Sequence, residues 1–353
     1  MAEINDIKFM NRCLELASKG EGLTYPNPMV GSVVVHDGKI VGEGYHLKAG
    51  GPHAEVNAIN SVSDKSKLKN STLYVNLEPC SHFGKTPPCA DFIISNGIPR
   101  VVIGTVDTSD KVSGHGLARL RNAGCDLIVG VVEEECRRLN RRFFTFHEKR
   151  RPFITLKWAQ SADGYLDVLR SEDHMIEPTW ITGKPEKVLV HKWRASEQAI
   201  LVGADTVRAD NPKLNVREWK GTDPLRIILT SSGAINLESS VNEIISSVIV
   251  FTHNMESSIP NAVKVKLKEN VPSSIQIIEY LFNAGIQSLL IEGGAKVLNH
   301  FISTGLWDEA RVFTGKNYFR GGVKGPLIPG TLFSRTNFSG SLLEIYLKDA
   351  RLH

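Results

Sequence analysis

Short runs of β-branched and aliphatic residues alternate with helical stretches along this chain, and the alternation starts afresh once, after a basic break. In the first series Ile7, Met10, Leu14 and Ala17 recur at helical spacing and predict an amphipathic helix. SVVVHDGKIVGEGYH reads as a hairpin in which Val33 to Val35 and Ile40 to Val41 flank an Asp37-Gly38 turn. STLYVNLEPC predicts a strand ending at Cys80, with helices starting near His53 and Cys89. RVVIGTVD and CDLIVGVV read as further strands around a helix in GLARLRNAG, and EEECRRLNRRFFTFHEKR reads as one closing helix. The run His147 to Arg151, followed by Pro152, marks the break and predicts domains over 1–148 and 149–353. Beyond it PFITLKWAQSADG, AILVGADTV, PLRIILTSS, SSVIVFTH and SLLIEGG read as strands. Strands alternating with helices predict an α/β class in each half, with a mostly parallel sheet covered on both faces.

The bulk numbers narrow the function classes. At 353 residues the chain exceeds what one core usually serves. A net charge of +4 is mild for this length and does not argue for a nucleic-acid or membrane surface. No window has the apolar length of a membrane span, and the N-terminal stretch lacks the apolar core of a signal peptide. Five cysteines, sparse and odd in number, disfavour a disulfide framework and suit a reducing cytoplasm. There a Cys/His cluster more often means metal or catalysis.

Such a cluster is present. Cys80 and Cys89, each preceded by proline, enclose the eight residues SHFGKTPP, and His53-Ala54-Glu55 lies upstream. His-x-Glu followed by Pro-Cys and a second Cys is the pattern of zinc deaminases acting on nucleobases. Three protein ligands, His53, Cys80 and Cys89, leave tetrahedral zinc one position for water, whose pKa falls to about 7. Glu55 is then a proton shuttle rather than a ligand. The insert reads as a substrate loop on which His82 and Lys85 offer donors. Two plainer readings stand beside this one: unrelated buried thiols, and a structural zinc, which usually takes four ligands and has no use for Glu55.

TYPNPMVGSVVV, HAEVNAI and LEPCSHFGKTPPCADFI, with the second-half motifs below, resemble the bifunctional riboflavin-biosynthesis deaminase-reductases over nearly the whole chain. The resemblance implies a cytidine-deaminase-like three-layer domain followed by a dihydrofolate-reductase-like domain. It implies zinc-dependent removal of the 2-amino group of 2,5-diamino-6-ribosylamino-pyrimidinone 5′-phosphate. It implies next an NADPH-dependent reduction of the ribosyl to a ribityl chain. Asn27 would join His82 and Lys85 in holding the pyrimidine. From the residues alone Asn27 reads as a turn residue between two prolines.

In the second half the resemblance implies cofactor contacts at Gln160, Trp180, Thr206, Asp210, Ser231, Gly293 and Gly294. It implies substrate contacts at Arg194, Leu214, Arg217 and Glu292. The chemistry agrees. Arginine forks suit a phosphate, and Arg194 and Arg217 are expected to converge on one. A strand ending in Glu292-Gly293-Gly294 before a helix lets main-chain N–H groups approach a pyrophosphate. The pair is not the Rossmann G-x-G-x-x-G pattern. The chain departs from the family's text at Thr108 to Asp110, at Pro178 and at Gly315. The expected partner is a phosphorylated pyrimidine, with no nucleic acid and no membrane, and the resemblance implies a homo-oligomer, a dimer or tetramer. The competing readings are a deaminase acting on nucleic acid and an active deaminase joined to a non-catalytic ligand-binding half.

Overall fold

A computed structural model describes residues 4–81, 87–108, 114–168, 179–231, 248–255 and 262–349. The chain divides into two compact units that meet in sequence between Arg150 and Arg151.

The first unit runs α1 (Ile4–Ser18), β1 (Gly31–His36), β2 (Lys39–Tyr45), α2 (Ala54–Ser61), β3 (Thr72–Leu77), α3 (Cys89–Ser95), β4 (Arg100–Thr105), α4 (His115–Asn122), β5 (Asp126–Val129), α5 (Glu133–Leu139) and α6 (Arg141–Lys149). The strands form one sheet in the order β2-β1-β3-β4-β5, antiparallel from β2 to β3 and parallel from β3 to β5. The hairpin turns through Asp37 and Gly38, both in the left-handed region. Alternate strand residues face opposite sides. Val34, Leu73 and Ile103 pack with Ala58, Ile59, Ile93 and Leu120 of α2 to α4. Val33, Val35 and Tyr74 pack with Phe9, Met10, Cys13 and Leu16 of α1 and Cys136 of α5. The result is a sheet between two helical layers.

Two local expectations are corrected. The buried stripe of α1 is Phe9, Met10, Cys13, Leu16 and Ala17, while Ile7 is exposed. The closing helix is two helices, broken at Asn140. The side chain of Asn140 accepts from the Met29 N–H at 2.8 Å and donates to the Met29 carbonyl at 2.9 Å. That reciprocal pair ties the break to the segment after Asn27.

The second unit runs β6 (Phe153–Gln160), β7 (Tyr165–Asp167), α7 (Lys184–Ser196), β8 (Ala199–Gly203), α8 (Ala204–Asp210), β9 (Leu225–Thr230), β10 (Val248–Thr252), β11 (Ala262–Lys266), α9 (Ser273–Asn283), β12 (Ser288–Ile291), α10 (Ala295–Ser303), β13 (Glu309–Thr314), β14 (Val323–Lys324), β15 (Thr331–Phe338) and β16 (Ser341–Leu347). Nine strands form a sheet in the order β11-β10-β9-β8-β12-β6-β13-β16-β15. It is parallel from β11 to β13 and antiparallel at β13-β16-β15. Ile277, Leu281, Leu298 and Phe301 of α9 and α10 cover one face. Val207 of α8 packs on Ile200, Val202 and Ile228 of the other, and Val190 of α7 packs on Phe313. β7, β11, β13, β14, β15 and β16 are strands beyond those read from the sequence. β15 is exposed along most of its length, so it carries no alternation to read.

Candidate active sites

The candidate metal-holding group is built by close packing of α2 on β2. A Cβ at Gly44 would lie 2.3 Å from the Ala58 nitrogen, and one at Gly42 would lie 2.5 Å from the Ala58 oxygen. The glycines therefore let the helix sit directly on the strand. His53 is the extended residue before α2. Its Nδ1 is 3.2 Å from Cys89 Sγ and 3.5 Å from Cys80 Sγ. One ligand atom from each of the three residues lies within 4.8 Å of the other two. Ligands on tetrahedral zinc stand about 3.5 Å apart, given Zn–S and Zn–N lengths near 2.3 and 2.0 Å, so the set fits the ion. Cys80 lies past the end of β3 rather than on it. Its sulfur accepts the Cys89 N–H at 3.4 Å and its carbonyl accepts the Ala90 N–H at 3.1 Å, which places it against the start of α3.

The electrostatics suit a cation. The neighbouring Cys89 thiol holds the Cys80 thiol well below its ordinary range, and His53 adds to this. Hydrogen bonding to Cys80 draws the His53 imidazole upward. Glu55, in the first turn of α2, is 3% exposed. Burial, then the Cys80 thiolate, pushes its carboxyl up to about 7. A carboxyl there gains or loses a proton near neutral pH, as a shuttle requires.

Beside this group Asn27 donates from Nδ2 to Nε2 of His46 at 3.1 Å, and His46 Nδ1 meets the Pro52 carbonyl at 3.0 Å. These partners fix the neutral tautomer with the proton on Nδ1. The His46 ring stands edge-on to His53 at 5.5 Å. Asn27 thus reaches the neighbourhood of the ligands through His46. His82 and Lys85 lie outside the described residues, as do Ser109, Asp110 and Pro178.

In the second unit a cavity of about 1090 Å³ opens at the C-terminal ends of the parallel strands. It is lined by Trp180, Thr206, Asp210, Ser231, Gly293 and Gly294, and by Arg194, Leu214, Arg217 and Glu292. Gln160 does not line it. The Gln160 amide accepts from Trp158 Nε1 at 3.0 Å and donates to Thr314 Oγ1 at 3.4 Å. Gly294 has φ +67°, and a Cβ there would lie 3.0 Å from Thr206 Oγ1. A side chain would therefore be both strained and crowded. Glu292 accepts from Arg194 Nε at 2.7 Å and Nη2 at 2.9 Å, with Lys157 Nζ at 3.6 Å. Burial alone would raise its carboxyl, but Arg194 and then Lys157 outweigh that and hold it at about 2. Arg194 and Arg217 both reach the cavity, yet the Arg194 fork faces Glu292 rather than standing open. Gly315, where the family's text has proline, donates its N–H to the Gln160 carbonyl at 2.8 Å, a bond proline would lack.

Comparison with known proteins now bears on this geometry. Residues 152–345 match the family described as the RibD C-terminal domain, and residues 3–105 match the cytidine and deoxycytidylate deaminase zinc-binding region. The riboflavin biosynthesis protein RibD of Aquifex aeolicus is 44% identical over 87% of this chain and 86% of its own length. The chain belongs to the riboflavin-biosynthesis deaminase-reductase family. The Escherichia coli relative is 36% identical over 88% of this chain and 87% of its own. The crystal structure of a diaminohydroxyphosphoribosylaminopyrimidine deaminase/5-amino-6-(5-phosphoribosylamino)uracil reductase from Thermotoga maritima superposes with TM-score 0.87 at 38% identity. It covers 98% of this chain and 99% of that one. RibD of Acinetobacter baumannii gives 0.86 at 30% identity, with the same coverage. The two halves of this deaminase-reductase are thus a cytidine-deaminase-like α/β unit and a RibD-type, dihydrofolate-reductase-like unit. No helix among the described residues is long and apolar enough to cross a membrane.

Three residues at these sites were not singled out in the sequence of this deaminase-reductase. His46, 2% exposed, holds Asn27. Lys157 is the one charge in the mostly apolar stretch PFITLKWA, and that oddity was a readable signal. His191 sits one helical turn before Arg194, and nothing local marks it.

Proposed function

We propose that this protein carries out two consecutive steps of riboflavin biosynthesis. It deaminates 2,5-diamino-6-ribosylamino-4(3H)-pyrimidinone 5′-phosphate and then reduces the ribosyl group, giving 5-amino-6-ribitylaminouracil 5′-phosphate. The observation that carries the reading is the convergence of His53, Cys80 and Cys89 beside a buried carboxyl, Glu55, that is not one of the three.

In the first unit His53 Nδ1 and the sulfurs of Cys80 and Cys89 would hold zinc. When bound, zinc supplies a water acidic enough to attack the amidine carbon near neutral pH. Glu55, buried beside these residues with its carboxyl pushed up to about 7, would be the group that accepts a proton and returns it to the departing amine. Asn27, held by His46, orients the pyrimidine edge, with His82 and Lys85 from the Cys-to-Cys loop.

In the second unit Trp180, Thr206, Asp210, Ser231, Gly293 and Gly294 would hold NADPH, while Gln160, bonded to Trp158 and Thr314, does not line that cavity. When bound, NADPH would supply the hydride that reduces the ribosyl group. Arg217 meets the 5′-phosphate, Leu214 packs beside it, and Glu292, fixed by Arg194, contacts the ribose. The reading includes domains at 1–148 and 149–353, a homo-oligomer, and a reducing cytoplasm that keeps the thiolate ligands free.

Mass spectrometry of the diaminopyrimidine ribosyl phosphate, incubated with zinc-loaded protein with and without NADPH, tests this. The expected result is an amine-to-carbonyl change in both tubes and a two-hydrogen gain only with NADPH. Deamination without reduction leaves the second unit as a ligand-binding domain. No change in either tube overturns the substrate.

A further inference from the structure

Segment Asn215–Arg217, beyond α8, is held by its main chain at three successive residues. The Asn215 carbonyl accepts from Arg194 Nη1 at 3.1 Å. The Val216 N–H donates to Asp223 Oδ1 at 2.7 Å. The Arg217 N–H donates to Nδ1 of His191 at 3.1 Å. Asn215 Oδ1 in turn accepts from Arg217 Nη1 at 3.0 Å, so the same short segment orients the guanidinium. His191 and Arg194 are three residues apart on α7 and therefore share a face. Leu214, just before, is 1% exposed with φ +52°, a left-handed conformation that this bracing maintains.

His191 is 1% exposed, with its Nδ1 on the Arg217 main chain and Arg194 one turn further along α7. Its position is suited to accepting. Burial, then Arg194 and Arg217, pushes the imidazole down to about 4, while Glu292 and Glu218 pull weakly the other way. It is neutral at physiological pH, and with Nδ1 accepting, the proton stands on Nε2. A protonated ring would turn a donor toward the Arg217 N–H and lose the bond. The two arginines thus keep the acceptor intact.

We propose that His191 is the positioning residue for substrate phosphate recognition in the reductase cavity, acting through the Arg217 main chain. The proposal rests on the reading of Arg217 as the phosphate contact. His191 itself does not line the cavity. It fixes where the Arg217 fork stands, and so it governs affinity for the phosphorylated substrate rather than the hydride step.

The experiment measures steady-state reduction of 5-amino-6-(5-phosphoribosylamino)uracil by the full chain, with substrate and NADPH varied separately. His191→Leu is expected to raise the substrate KM about tenfold while the NADPH KM and kcat stay within about twofold. His191→Asn, whose Oδ1 stands near the place of Nδ1, is expected to recover most of that loss. Arg217→Ala is the control. If it leaves the substrate KM unchanged, the underlying assignment of Arg217 fails. If Arg217→Ala raises the substrate KM but His191→Leu does not, the proposal for His191 is overturned. Equal rises in both KM values, or no recovery with His191→Asn, assign His191 to general packing and overturn it as well. Should His191→Leu not fold, His191→Phe, which also lacks an acceptor, takes its place against His191→Asn.

Discussion

Arg194 meets Glu292 fork to fork, with Nε to Oε1 at 2.7 Å and Nη2 to Oε2 at 2.9 Å, across 98 positions of sequence. The pair fastens α7 to the turn after β12, at the floor of the reductase cavity. Both side chains are largely out of solvent, at 11% and 6% exposure. Removing one partner leaves a buried charge poorly compensated. Arg194→Met is expected to cost about 3–5 kcal/mol in the stability of the second unit, measured by urea unfolding. The double change Arg194→Met with Glu292→Gln is expected to cost less than the single one.

The same pair sets an acid limb. Glu292 has a folded pKa of about 2, below the unfolded value near 4.3. A depressed carboxyl contributes stability that is fully present above the unfolded pKa and is lost as pH falls through the folded one. The second unit is expected to lose stability between about pH 4.5 and 2, and Glu292→Gln to flatten that limb. Unfolding midpoints across this range, followed by tryptophan fluorescence, check it. An unchanged slope in the variant removes Glu292 as the cause.

Metal removal separates the two activities. Dialysis against a chelator is expected to abolish deamination and leave NADPH-dependent reduction of the deaminated substrate intact. One zinc per chain is expected to restore it. Cys89→Ala is expected to lose the metal, read by atomic absorption.

Glu55→Gln tests the shuttle apart from the ligands. The variant is expected to retain zinc and to lose deamination by about 10²- to 10⁴-fold, the span of a positioned acid–base group. Loss of zinc together with activity would make Glu55 structural.

Glu78, 4% exposed, accepts main-chain N–H groups of Asp107, Gly114, Gly116 and Leu117 at 2.9–3.3 Å. It pins the start of α4 to the segment that carries Cys80. Glu78→Leu leaves four donors without that acceptor and is expected to cost about 3 kcal/mol or more. Unfolding of the zinc-free protein measures this without the metal's own contribution.

The sequence by itself determined what depends on near neighbours. His53 and Glu55 stand two apart at a helix start, so their shared site was readable from the spacing. The Asp37-Gly38 turn and the glycine pair after β12 were readable because their residue types fit the backbone conformations required. The order His53, Cys80, Cys89 marked a candidate metal set, since tetrahedral zinc constrains ligand type more than chain path, and the fold brings one ligand atom of each within 4.8 Å of the others. Tertiary structure decided the rest. The break at Asn140 exists because its amide pairs with Met29, 111 positions away, and no local propensity encodes that. Met10 and Ala17 of the periodic reading are buried on α1, but Phe9, Cys13 and Leu16 complete the stripe in place of Ile7, because β1 and β3 choose which face they bury. Gln160 is turned away from the cavity by Trp158 and Thr314, and Arg194 faces Glu292 rather than an open site. His191 looked like any helical histidine until folding set it under the Arg217 N–H. Long-range hydrogen bonds and buried charges are decided by partners that only the fold brings within 3 Å, and so they leave little trace in the local pattern of residues.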